Sequence, residues 1–218
     1  MFGLGLFIAF ATSIIGFNLL GFLSPSSVPP APLASREISL ENRHFDRYVN
    51  GVFKDNILLN LAYLDGRVEK ASDVKWDEIR KPFSYEFILE PNETFAFHED
   101  VLPQFEGKIP KTTNAHFNFQ DGFRFSGLLY GDGVCHLASL INWVAKDAGL
   151  EVQAPVSHDF REIPEIPKEF GTSIYFYPGQ KATNAQQNLY ITNNLKNPVA
   201  FKVHYDGEKL KIEVFEEK

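Results

Sequence analysis

The side chain best suited to covalent chemistry is Cys135, the only cysteine among 218 residues, set in Gly131-Asp132-Gly133-Val134-Cys135-His136. A lone thiol is a packing atom, a nucleophile or one member of a mixed metal site. The count excludes an intramolecular disulfide and a zinc site built on two or more cysteines. An apolar-periodic stretch starts here, so the thiol falls in the first turn of a helix. Unpaired N–H groups there carry partial positive charge and favour thiolate, and such a thiol is expected to alkylate quickly near neutral pH. Gly131 and Gly133, with Asp132 between them, permit the close backbone approach that an oxyanion site or a tight turn requires. His136 adjoins the thiol, but helical neighbours point about 100° apart, which makes it a poor base. His158 is the first histidine beyond the helix and fits better as the base that a thiol nucleophile needs within hydrogen-bond reach. Asn142 or Asn188 would supply the group that orients its ring. His44, His98, His116 and His204 read as loop, helix or solvated-strand residues. The reading needs no metal and no cofactor.

Several elements must position these groups. From Val134 to Ala148, the residues Val134, Leu137, Ala138, Ile141, Val144, Ala145 and Ala148 recur at helical spacing, and Gly149 is placed to close the helix in a left-handed conformation. Apolar groups at Phe45, Tyr48, Val49, Val52 and Phe53 predict another helix within 42–64, ended by Asp65-Gly66; Ile57 to Leu61 fits helix or strand. A short helix is expected over 73–81, stopped by Pro82. Alternation at Phe201, Val203 and Tyr205, a turn at Asp206-Gly207, and alternation at Leu210, Ile212 and Val214 predict a hairpin. The same pattern around Asp121-Gly122, with His116 to Phe119 before it and Phe123 to Phe125 after, predicts a second. Ile174–Tyr177, Leu189–Ile191 and the segment after Gly149 read as further strands. The fold class is α+β: an antiparallel sheet packed on a few helices, with an N-terminal transmembrane helix.

That last element rests on residues 1–23. No charge occurs before Arg36, and Phe2–Leu23 is long enough for a helix to cross a hydrocarbon core. The stretch is an anchor or a signal segment. Residues 24–40 read as a Pro/Ser-rich linker, typified by Ser24–Ser35 (SPSSVPPAPLAS), and 41–218 as the folded domain. A net charge of −7 argues against nucleic acid and against electrostatic attraction to anionic lipid, so membrane attachment would be through the apolar helix.

The block Gly131–Asn142, closing on Ala148-Gly149-Leu150, resembles the signature of VanW-like proteins: a glycine-rich turn, Val-Cys, a polar residue, and an Asn-containing helix ending in Ala-Gly-Leu. Leu89–Phe97, Ser157-His158, Tyr177-Pro178-Gly179, Ala182-Thr183 and Leu189–Asn194 with Pro198 follow the family's order, over roughly residues 50–215. His136 stands where the family usually has Gln, and Lys181 where it has Asp. The resemblance implies an exported, cell-envelope-associated protein and specifies no reaction. The Gly-Val-Cys helix followed by a strand and a His is also similar to transglutaminase-like and papain-type thiol enzymes, an analogy of pattern alone.

Two functions remain open on these grounds. One is a cysteine-dependent enzyme acting on peptide or amide bonds of the cell wall, with Cys135 as nucleophile. The other is a non-catalytic module that binds peptidoglycan or an envelope partner, with Cys135 in the core.

Overall fold

The computed structural model describes Met1, residues 31–127 and residues 131–217. The apolar run Phe2–Leu23, read as anchor or signal, lies outside the described residues. Among the described residues no helix is long and apolar enough to cross a membrane.

Among the described residues the chain from Ala31 onward is α+β, with two antiparallel sheets and four α-helices. The larger sheet has the order β1 (Ala34–Ser39), β7 (Lys209–Glu216), β6 (Val199–Tyr205), β2 (Phe83–Leu89). The smaller has the order β3 (Thr94–Ala96), β5 (Tyr190–Thr192), β4 (Glu151–Gln153). β1 falls within 24–40, the stretch read as linker, and its Ile38 is fully buried against the core.

The C-terminal hairpin forms with the expected alternation. Phe201 pairs with Val214 and Val203 with Ile212 on the buried face, while Lys202 and His204 point to solvent. The Asp206 carboxylate accepts from the N–H groups of Glu208 and Lys209, and Gly207 takes φ 113° to complete the turn. Leu189–Ile191 also yields a strand, β5.

Two strand expectations fail. Around Asp121-Gly122 the chain makes a 3₁₀ turn over Phe119–Asp121 instead of a hairpin. Asn118 caps it by accepting from the Asp121 N–H, and the Asp121 carboxylate turns back to accept from the His116 N–H at 2.6 Å. These local side-chain bonds compete with a ladder. Phe117 and Phe123 are buried edge to face, 5.7 Å between centroids, so the apparent alternation is that of a loop dipping two rings into the core. Ile174–Tyr177 joins no sheet. The Ile174 N–H is directed at the Cys135 sulfur and the Tyr177 N–H at the Asn184 side chain, so the Tyr175 N–H, which donates to the Gln187 carbonyl at 3.2 Å, makes a single backbone bond and no ladder.

The helices are α1 (Arg47–Leu64), α2 (Trp76–Ile79), α3 (Val134–Asp147) and α4 (Lys181–Gln186). Ile57–Leu61 continues α1, which buries almost every residue from Val52 to Leu64. Phe45 and Tyr48, read as part of its apolar stripe, are exposed instead. Residues 73–81 reduce to the single turn α2, preceded by a 3₁₀ turn at Ala71–Asp73. α3 packs on α1, on β1 and β7 of the larger sheet, and on β4 of the smaller. The residues of its predicted stripe from Val134 to Ala145 are buried, and Gly149 follows with φ 78°. This central helix fixes the position of everything at its N-terminus.

Candidate functional site

α3 begins where the chain passes two glycines pressed against other backbone. Gly131 has φ 78°, and a Cβ there would sit 2.8 Å from the Phe117 carbonyl oxygen; Gly133 has φ 103°, and its Cβ would sit 2.6 Å from the Phe53 carbonyl oxygen. The glycines therefore let the start of α3 lie against α1 and the 117 loop. Asn56 of α1 adds a latch. Its side chain donates to the carbonyls of Arg124 and Asp132 and accepts from the Arg124 N–H, joining both stems of the loop that leads into the helix.

This geometry brings the thiol to the wall of a cavity of about 360 Å³. Cys135, His136, His158, Asp132, Gly131 and Gly133 all line it, closed in by Phe53, Phe160, Tyr175 and Arg161. A larger cleft of about 1040 Å³ shares Arg43, His44, His158 and the 160–162 segment with it. His158 arrives by a short antiparallel bridge: its N–H donates to the Gly171 carbonyl at 3.1 Å, and the Ser173 N–H donates to the Val156 carbonyl at 2.9 Å.

The half-buried thiol donates to the Ile174 carbonyl at 3.6 Å and receives the Ile174 N–H at 3.4 Å. Among the described residues it has no hydrogen bond to an imidazole. Burial, with a smaller push from Asp132, raises it to about 11, against the opposing pull of the Ile174 N–H. The direction is opposite to that expected of a helix start. In the first turn, the N–H groups of Val134, His136 and Leu137 go to the carbonyls of Gly131 and Gly133. The Cys135 backbone N–H acts on its own sulfur and, with the Ile174 N–H, opposes the rise.

His136 and His158 are each more than nine-tenths buried, and their rings lie 6.3 Å apart edge to face. His136 also packs on Phe53 at 5.0 Å, and His158 on Phe160 at 4.1 Å. Nδ1 of each ring is occluded and has no hydrogen-bond partner among the described residues, while the backbone of His158 and Arg161 acts to raise the His158 imidazole against burial. Burial, then the positive charge of Arg43 and neighbouring groups, lowers His136 to about 3; burial also lowers His158. Both are neutral imidazoles at neutral pH.

Asn142 lies elsewhere. Its Nδ2 donates to the Phe170 carbonyl and the Thr172 hydroxyl, both at 2.9 Å, so it secures the strand that bridges to His158 and orients no ring. Asn188 holds His98 instead, accepting from its N–H and donating to its carbonyl. His98 lies in a loop and is fully buried there. Lys181 is an exposed partner of Glu106 at the start of α4.

His116 shows the opposite electrostatics. Its Nδ1 meets Asp121 at 3.0 Å and its Nε2 meets Glu99 at 2.7 Å, and these two carboxylates raise it to about 10. Ring-proton NMR across pH is expected to show His136 neutral down to about pH 3 and His116 protonated well above pH 8. The signs differ. His136 contributes stability above its unfolded value near 6.5 and loses it as pH falls toward 3; His116 contributes below 6.5 and loses it as pH rises toward 10. Ordinary midpoints for both rings would contradict this description.

Arg43, Phe53, Phe160 and Arg161 carried no sequence signal of a site. Arg43 is an almost fully buried guanidinium paired with Glu165 at 2.9 Å, and Phe53 belongs to a helix some eighty residues before the thiol. Their convergence depends on α1 crossing the start of α3.

Taken together, an α+β domain carries a single thiol at the start of its central helix, beside two neutral imidazoles in one cavity. The chain belongs to the family of VanW-like proteins, whose model matches residues 85–215. That segment contains Cys135, His136 and His158, while Arg43, His44 and Phe53 precede it. No curated protein and no solved structure matches the chain.

Proposed function

We propose that this VanW-like chain is an envelope-associated ligand-binding protein that takes a peptidoglycan fragment into the Cys135 cavity. One observation carries the reading: the cavity gathers the thiol and two imidazoles that are more than nine-tenths buried, each with an occluded Nδ1 that has no hydrogen-bond partner among the described residues. Cavities of roughly 300–1000 Å³ with a few convergent polar groups are the usual form of small-ligand sites. A buried polar atom left unpaired costs about 1–3 kcal/mol, so partners supplied by a ligand would offset a standing penalty. The uncharged run Phe2–Leu23 supports a place at the membrane, as anchor or export signal.

The test uses the full-length chain. Ring signals of His136 and His158 should shift on addition of soluble peptidoglycan fragments, and carbonate-washed membranes should retain the protein. Unmoved ring signals would remove the binding reading. Recovery in the soluble fraction would remove the anchor, and a processed N-terminus would favour the signal.

A thiol-dependent reaction on peptide or amide bonds is the second reading, favoured by the placement of Cys135 at the start of α3 in one cavity with His136 and His158. The raised thiol weighs against it, because an imidazole would have to take the proton after the ligand enters. Cys135→Ala separates the two. A binding protein keeps the ring shifts, whereas an enzyme loses all product.

A further inference from the structure

Between His158 and the 3₁₀ turn at Lys168–Phe170 the chain forms no helix or strand, and Asp159, Phe160, Arg161 and Glu162 are all exposed. Phe160, Arg161 and Glu162 also line the Cys135 cavity. They form its outer wall, with solvent on one side and the cavity on the other. His158 and Ile163, both buried, hold the two ends of this wall in place.

The chain then turns. In Ile163-Pro164-Glu165-Ile166 the Ile166 N–H donates to the Ile163 carbonyl at 3.2 Å, and Glu165 takes φ 66°. Proline second and a left-handed residue third are the pattern of a type II turn, whose third position favours Gly or Asn. Glutamate is strained there, and such strain persists only where the surroundings hold it. What holds it is the carboxylate, which accepts from the Ser39 N–H at 3.0 Å, from the Asn42 amide, and from Arg43 Nη2 at 2.9 Å. Arg43 Nη1 adds a bond to the Pro164 carbonyl at 3.0 Å. The Arg43 side chain is fully buried, while that of Glu165 is 37% exposed, so this clasp meets water on the Glu165 side. One residue beyond Arg43, His44 Nε2 lies 3.1 Å from Arg161 Nη2 on the wall itself. Residues 39–44 thus grip both the wall and the turn that follows it.

We propose that Glu165 is the clasp of a gate over Cys135. With its carboxylate seated among Ser39, Asn42 and Arg43, residues 159–162 stay closed beside the thiol. When the carboxylate leaves, the turn relaxes and Arg43 loses the partner that a buried charge requires. Arg43 lines both the Cys135 cavity and the larger cleft, so its departure joins them and lets 159–162 swing outward between His158 and Ile163. A ligand larger than about 360 Å³ reaches the thiol only in that open form. The gate goes beyond the binding reading and does not depend on what enters.

Cys135 reports the gate. Full-length protein in neutral detergent is labelled with methyl methanethiosulfonate and with its bulky nitroxide spin-label analogue, which carry the same reactive group. The ratio of the two rates, bulky over methyl, cancels any change in thiolate fraction. Glu165→Gly removes the carboxylate and leaves the turn a residue suited to its φ. It is expected to raise the ratio at least fivefold, with little dependence on urea below the unfolding transition, because a local opening exposes little surface. Asn42→Ala, at an exposed position, is expected to raise it at least twofold and serves if Glu165→Gly does not fold. Gly149→Ala, a destabilising change outside both cavities, should leave the ratio unmoved. A ratio unchanged by both clasp substitutions would overturn the gate, as would a wild type that the bulky reagent labels as fast as the methyl one. A rise that steepens with urea like global unfolding, or one equalled by Gly149→Ala, would overturn it too, leaving Glu165 as a support of the fold alone.

Discussion

At pH 8, alkylation of Cys135 by iodoacetamide is expected to run roughly a hundredfold slower in the folded chain than in urea. The thiol is raised from an ordinary value of 9.0 to about 11, and the thiolate fraction falls by about that factor. Two effects compete at this position, and magnitude decides between them. A helix N-terminus stabilises a negative charge by about 0.3–1 kcal/mol, less than one pKa unit. Withdrawal of a charge from water moves a buried group by several units. Burial wins, and Asp132 adds to it. The rate should climb tenfold per pH unit up to about 11. The same shift carries a stability signature. Between 9 and 11 the folded state holds a proton that the unfolded chain releases, so this contribution is complete below 9 and lost as pH rises through 11. Fast labelling at neutral pH in the folded state would show that a cavity imidazole overrides burial, and it would restore the nucleophile.

Substitution of Gly133 by Ala is expected to cost about 3 kcal/mol or more. The backbone there has φ 103°, and the added methyl would lie 2.6 Å from the Phe53 carbonyl oxygen and 2.9 Å from its Cα. A left-handed conformation costs an L-residue about 1–2 kcal/mol by itself. The rest comes from separating α1 from the start of α3, since neither neighbour is a flexible side chain. Gly149→Ala is the control. Its φ is 78°, but nothing lies within 4 Å of the new Cβ, so only the conformational cost applies. Urea midpoints measured side by side should place Gly133→Ala well below Gly149→Ala. Equal losses would mean that α3 does not press on Phe53, and the cavity wall would need another description.

What was legible in the sequence is what short-range periodicity controls. The stripe from Val134 to Ala145 defines α3 because one helical face must be buried, and Gly149 ends it because only glycine accepts that conformation without cost. The alternation on either side of Asp206-Gly207 defines the β6–β7 hairpin for the equivalent reason in a strand. The block from Gly131 to His136, read on the same terms, located the site. Where local side-chain bonds compete with a ladder, the same reasoning misled. Asp121 folds back onto His116, and Ile174 and Tyr177 give their N–H groups to a thiol and an asparagine, so neither alternating run is a strand. The state of the thiol was beyond any local reading. It depends on how far α1, the 117 loop and the Ile174 segment close around Cys135, and on Arg43 and Arg161 arriving near His136 from opposite sides of the chain. Ionisation follows the dielectric and the charges within a few ångströms, and only the tertiary packing decides which those are.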